Sequence, residues 1–253
     1  MITDMHVHTE MSIDSQAKMS DYIEIAKSRK VNVVCFTDHV DYNINDEGYH
    51  YYNPAKFFDF YHQFCRNTDS DVELYAGIEF SEPHLYYDEL EELKKFPYDY
   101  IIGSVHWVGN MFPCQKVREQ YTAKEFYELY WREMYNCLKK GGFDCLGHMD
   151  FPKRYYGELY YKEKMIKELF QIMLEKNIIL EINTSSLRKG LSETMPGDEF
   201  LAIYKDCGGS YITIGSDSHE AEDLAKNNDI AQKLADLYEL KNVIFKERKM
   251  LIV

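Results

Sequence analysis

The chain has 253 residues, 45% hydrophobic and 15% aromatic, and a formal net charge of −14. That apolar content excludes a disordered chain and supplies a core without covalent staples. The acidic excess excludes a surface that coats long nucleic acid, because phosphate backbones attract Lys/Arg patches.

Short β-branched runs alternate with longer amphipathic segments from one end of the chain to the other. A strand is expected over residues 2–8, a helix over 19–29, and a second strand over 32–39. Helix 54–67, strand 72–80, helix 85–95 and strand 98–107 follow. Helix 123–140 carries Phe126, Leu129, Tyr130, Met134, Cys137 and Leu138 at helical spacing, which gives one buried stripe. Then come strand 145–150, helix 162–176, strand 178–183, helix 197–207, strand 211–219 and helix 229–238. The tail 243–253 reads as a terminal hairpin or strand with basic residues. The tyrosine-rich stretch 42–52 reads as a loop covering a mouth.

Repeated strand–helix units imply parallel strands joined by right-handed crossovers, either as an open doubly wound sheet or as a barrel of TIM-like type. No Gly-rich phosphate loop follows the first strand and no linker divides the chain, so one domain over residues 1–253 is expected. The six cysteines form no CxxC and several lie in apolar runs, as buried thiols do in a reducing compartment. The N-terminus shows no signal peptide, and no apolar run approaches the roughly 18 residues that span a bilayer. A cytoplasmic protein without membrane partners is the expectation.

Of nine histidines, six fall at the ends of expected strands: His6, His8, His39, His106, His148 and His219. Asp38, Glu79 and Asp217 stand at equivalent places. In a parallel barrel these ends share one face, where active sites form. His6 and His8 are two apart on a strand and so point to the same side. Imidazoles clustered in a barrel mouth are costly unless something binds them. Imidazole with carboxylate and no thiolate suits Zn²⁺, Mn²⁺ or Fe²⁺, and the donors exceed what one ion needs, so two or three divalent ions are expected.

The segments Asp4-Met5-His6-Val7-His8-Thr9, Phe36-Thr37-Asp38-His39, Gly77-Ile78-Glu79-Phe80, Gly103-Ser104-Val105-His106, Gly147-His148-Met149-Asp150 and Ser216-Asp217-Ser218-His219 resemble the successive motifs of the PHP (polymerase and histidinol phosphatase) superfamily. The run from Leu180 to Gly190, together with the chain's length, resembles the histidinol-phosphate phosphatase branch. The resemblance implies a distorted (β/α)7 barrel with a trinuclear metal site. It assigns His6, His8, Glu79 and Asp217 to a first ion, and Glu79 again, as a bridge, with His106 and His148 to a second. His39, His219 and Asp14 fall to a third, Asp14 standing where many relatives carry histidine. Asp38 is expected behind the ligands.

Such a cluster would activate a bridging hydroxide for in-line attack on phosphorus. Asp217, His39 or His219 would supply the leaving group's proton. Arginine suits phosphate, and Arg154, Arg188 and Arg118 follow strand ends. Trp107, Tyr42, His50 and Glu82 are candidates for the rest of a small phosphorylated substrate. L-histidinol phosphate is the expected substrate. The alternatives are another small phosphate ester such as a nucleotide, or a metal-binding module without turnover. The amidohydrolases also carry HxH on the first strand, but commonly have lysine where this chain has His106.

Overall fold

The structure, a computed structural model, describes residues 1–253. Seven strands, β1 (Thr3–Val7), β2 (Val33–Val40), β3 (Glu73–Ser81), β4 (Tyr100–Ser104), β5 (Cys145–Leu146), β6 (Ile179–Asn183) and β7 (Tyr211–Gly215), pair in parallel in sequence order. The ring closes where Asp217 N donates to His6 O at 2.8 Å and His8 N to Ser218 O at 2.8 Å. The helices between them are α1 (Met19–Arg29), α2 (Pro54–Asn67), α3 (Tyr87–Leu93), α4 (Gln115–Arg118), α5 (Ala123–Lys140), α6 (Lys153–Tyr156), α7 (Glu163–Glu175), α8 (Ser185–Arg188) and α9 (Asp198–Asp206). Finally α10 (Asn228–Leu237) leads to β8 (Lys241–Lys246) and β9 (Lys249–Ile252). Local chemistry sets the long helices. Thr122 and Glu125 form a reciprocal capping box at the start of α5, and Asn53 with Pro54 starts α2.

Three expected strands end early for a common reason. β4 stops at Ser104 because Glu82 Oε1 takes the N–H groups of His106 and Trp107, at 2.7 and 3.0 Å. β5 keeps only two residues because Glu181 Oε2 takes His148 N at 2.8 Å. β7 stops at Gly215 because Asp4 Oδ1 takes Ser216 N at 2.8 Å and Asp217 enters left-handed backbone at φ 53°. Buried carboxylates thus replace ladder acceptors at one end of the barrel. The chain is released from the sheet there, and its next side chains turn into the mouth.

The other end is closed by the tail, which forms the expected hairpin in a position the sequence pattern did not disclose. β8 starts in parallel pairing with β7 and then pairs with β9 as an antiparallel hairpin. The hairpin's turn lies against the residues just before β4 and β5: Arg248 N donates to Asp99 O at 2.9 Å and Arg248 Nε binds the Asp144 carboxylate. Val243, Ile244 and Phe245 pack with Met5, Val33, Cys35, Tyr75, Tyr100, Ile102, Cys145 and Ile179 as one buried apolar cluster. Phe245 stacks on Tyr100 with ring centroids 5.1 Å apart. A larger cluster packs the helices on the outside of the sheet.

Candidate metal centre and phosphate pocket

β1 carries a bulge between Asp4 and Val7, where three steps on β1 match two on β2. The extra residue lets Met5 join the apolar cluster below while His6 and His8 both face the mouth above. There, four sets of three donors have ligand atoms within 4.8 Å of one another: His6–His8–Asp217, His6–Glu79–His148, His39–Glu79–His106 and His8–His39–His219.

Glu79, fully buried, lies at the centre. Its Oε2 is 3.2 Å from His6 Nε2, 3.6 Å from His8 Nε2 and 3.0 Å from His39 Nδ1. Its Oε1 is 2.8 Å from His148 Nε2 and 3.3 Å from His106 Nε2. One carboxylate therefore divides the imidazoles into two sets, as a bridging ligand does. Asp217 Oδ1 stands 3.4 Å from His8 Nε2 and 3.9 Å from His6 Nε2. Asp14, half exposed, brings Oδ2 to 3.0 Å from His219 Nε2 and 3.5 Å from His39 Nε2.

The residues fit divalent ions. His6 Nε2, His8 Nε2, His39 Nδ1 and both oxygens of Glu79 are buried without hydrogen-bond partners, an arrangement a folded chain tolerates only when something else binds those lone pairs. The opposite ring nitrogens are anchored. His8 Nδ1 lies 3.2 Å from Ser12 Oγ, which donates to Asp38 Oδ1 at 3.0 Å. His106 Nδ1 lies 3.0 Å from Ser81 Oγ, which donates to Asp41 Oδ1 at 2.6 Å. Each hydroxyl donates its one hydrogen bond to a carboxylate and so accepts N–H from the imidazole. That leaves Nε2 as a lone pair facing the centre. His219 Nδ1 is 3.1 Å from Asp217 O.

Electrostatics agree with this donor set. Burial alone would raise the carboxyls of Glu79 and Asp217; the surrounding imidazoles, and for Asp217 first of all Arg154, hold both well below the usual carboxylate range. Burial, and then the flanking His219 and His39, holds His8 well below its ordinary value, as a neutral imidazole.

Two of the expected arginines reach the cluster. Arg154 Nη2 donates to Asp217 Oδ2 at 2.7 Å and to Ser185 Oγ at 2.6 Å, while its Nε is buried and unpaired. Arg188 Nη2 donates to Ser216 O at 2.7 Å, its Nε pairs with Asp223 Oδ2 at 2.9 Å, and its Nη1 is buried and unpaired. The third expected arginine, Arg118, is exposed on α4 and donates to Tyr155 O at 2.7 Å. Glu82 is fully buried; its Oε1 clamps the backbone after β4, while its Oε2 has no hydrogen-bond partner. Trp107 Nε1 donates to Asp46 Oδ2 at 2.7 Å, fastening the 42–52 loop beside the mouth, and Tyr42 and His50 pack on each other at 5.0 Å. Glu181, Asn183 and Ser185 belong to the Leu180–Gly190 run that carries the branch resemblance, but the sequence assigns them no role, and it does not point to Ser12, Ser81 or Asp41.

These features define a barrel whose strand ends assemble a polynuclear metal site beside a buried guanidinium. The chain belongs to the PHP domain family, whose model matches residues 4–185. It is 30% identical to a probable histidinol-phosphatase of Clostridium acetobutylicum, over 99% of each chain. It is 26% identical to the histidinol-phosphatase of Lactococcus lactis, over 87% of this chain and 84% of the relative. The crystal structure of the Lactococcus lactis histidinol phosphate phosphatase, complexed with zinc, L-histidinol and phosphate, superposes with a TM-score of 0.89 at 23% identity, covering 99% of this chain and 98% of that one.

Proposed function

We propose that the protein is a metal-dependent phosphomonoesterase of the cytoplasm that hydrolyses L-histidinol phosphate to L-histidinol and phosphate, the whole chain acting as one catalytic domain. The observation that carries this reading is the pairing of a buried guanidinium, Arg154, with Asp217 at the rim of a donor cluster divided by Glu79. His6, His8, Glu79 and Asp217 would hold a first ion, Glu79, His106 and His148 a second, and His39, His219 and Asp14 a third. Divalent zinc, manganese or iron bound there supplies a water activated near neutral pH and neutralises a phosphate dianion.

The chain's own groups do the rest. Arg154 presents Nε, and Arg188 presents Nη1, as unpaired donors for phosphate oxygens, at a strength that ionised partners confer. Arg154 also fixes Asp217 in one orientation through Oδ2, leaving Oδ1 to face His6 and His8. In a chain without the third ion, the leaving oxygen's proton would come from His39 or His219, whose side chains are 15% and 26% exposed beside Asp14. Asp217 is the weaker donor, since Arg154 and the imidazoles keep it ionised. Relatives named for histidinol phosphate support the substrate. No helix is long and apolar enough to cross a membrane.

Recombinant protein loaded with Mn²⁺ or Zn²⁺, with metal content measured, is assayed for phosphate release from histidinol phosphate, sugar phosphates and nucleotides. Preference for histidinol phosphate is expected. Equal turnover of all esters would overturn the substrate, and bound metal with no turnover of any ester would overturn the enzymatic reading.

A further inference from the structure

Glu181 and Asn183 at the end of β6 and Ser185 at the start of α8 stand at every second position and form one hydrogen-bonded line beneath the site. Glu181 Oε1 is 2.6 Å from His6 Nδ1, and its Oε2 accepts His148 N at 2.8 Å and Asn183 Nδ2 at 3.1 Å. Asn183 Oδ1 accepts Ser185 N at 3.0 Å and lies 2.6 Å from Ser185 Oγ. Ser185 Oγ in turn accepts from Arg154 Nη2 at 2.6 Å and stands 3.0 Å from Asp217 Oδ2. The barrel makes room for the line with glycine: a Cβ on Gly215 would overlap both Glu181 Oε1 and His6 Cβ.

We propose that Glu181, Asn183 and Ser185 are a positioning relay that fixes the metal-binding face of His6 at one end and the phosphate-binding Arg154 at the other. The Arg154 half rests on the phosphatase reading above; the Glu181 half rests only on metal binding.

The polarity of the line follows from donors that cannot be reversed. Ser185 N–H is a backbone donor, so it fixes Oδ1 of Asn183 towards itself and Nδ2 towards Glu181. Oε2 of Glu181 then meets two obligatory donors, Nδ2 of Asn183 and the backbone N–H of His148. Oε1 is left to accept a hydrogen bond from His6 Nδ1–H, which places the His6 lone pair on Nε2, facing Glu79. Glutamine in place of Glu181 keeps the shape and inverts this logic. Its oxygen must occupy the Oε2 position, so its NH₂ faces His6 Nδ1 and drives the ring proton to Nε2, the nitrogen that must ligate.

The test compares wild-type protein with Glu181→Gln, Ser185→Ala and Asn183→Ala, each checked for folding by circular dichroism and thermal melting. Zn²⁺ affinity is measured by chelator competition, zinc per chain by elemental analysis, and the His6 tautomer from imidazole ¹⁵N spectra of the zinc-loaded protein. For Glu181→Gln we expect zinc affinity lower by about 10–100-fold and loss of the His6 Nδ1–H signal. For Ser185→Ala we expect unchanged zinc content and tautomer, but inhibition by inorganic phosphate weakened about 10-fold and KM raised more than kcat is lowered. Asn183→Ala, which breaks the line at its centre, should weaken both readouts several-fold.

A folded Glu181→Gln with wild-type zinc affinity and tautomer would overturn the His6 half. Wild-type phosphate inhibition in Ser185→Ala would overturn the Arg154 half. Wild-type values of both readouts in Asn183→Ala would overturn the coupling. Zinc affinity is read without substrate, so failure of the phosphatase reading leaves the His6 arm measurable by itself.

Discussion

At the N-terminal mouth of the barrel the inward side chains are Met5, Val33, Cys35, Tyr75, Tyr100 and Cys145, sealed by Phe245. A few residues further along the same strands they are His6, His39, Glu79, His106, His148 and Glu181. The lower layer is held by apolar burial, which is indifferent to direction and proportional to area. The upper layer holds buried lone pairs that only a cation and a set of oxygen partners satisfy. One strand therefore serves two purposes, with the β1 bulge as the boundary. Damage below should unfold the protein, and damage above should silence it while leaving it folded.

The largest effect is expected from simultaneous His6→Ala and His8→Ala replacement. Turnover of the phosphate ester should fall by about 10⁴-fold or more with loss of bound metal, as read by phosphate release and elemental analysis. Thermal melting of the metal-free forms should barely change, and a collapse of the fold would break the comparison. Phe245→Ala tests the other mouth. It should cost about 3–5 kcal/mol of stability in a denaturant titration, with kcat/KM per folded molecule preserved.

Arg154→Ala should lower kcat/KM by about 10²–10³-fold in steady-state assays at saturating metal, since it removes the donor set against phosphate and frees Asp217 to turn. The smallest expected effect sharpens the boundary between the layers. Burial, offset by His106 and two backbone donors, pushes the Glu82 carboxyl up to about 7 from 4.5. Between those values the folded state binds more protons than the unfolded chain. This group's contribution to stability is thus fully present below about pH 4.5 and is lost as the pH rises through 7, on the order of 3 kcal/mol in all. Glu82→Gln keeps an acceptor for His106 N and Trp107 N and should flatten that part of a stability–pH profile.

Much of the upper layer is legible in the sequence. His6 and His8 share a face through strand periodicity alone, and His39, Glu79, His106, His148 and Asp217 each end a recognisable apolar run. Asp14 is the less obvious member, because it lies in a loop and is identified by its offset from His6; in the structure it reaches His39 and His219. Arg118 shows the limit. Its position after a strand end resembles that of Arg154, yet it lies exposed on α4 and donates to Tyr155 O, while Arg154 reaches Asp217. A loop's direction depends on what it packs against, which no local pattern encodes. Strand ends were likewise overextended, because the acceptors that stop β4, β5 and β7 come from Glu82, Glu181 and Asp4, remote in sequence.

The sequence by itself determined the alternation of strands and helices, the parallel character of the fold, and the side chains presented at each strand end. These follow from periodicities of two and 3.6 residues that act within a few residues of chain. Only the tertiary structure decided which oxygen meets which imidazole nitrogen, that Glu79 divides the cluster, that Glu181 lies under His6, and that the C-terminal hairpin seals the far mouth. Each of these depends on atoms brought together by barrel closure, and a hydrogen bond or ligand geometry is set by distances of a few tenths of an ångström that no one-dimensional spacing specifies.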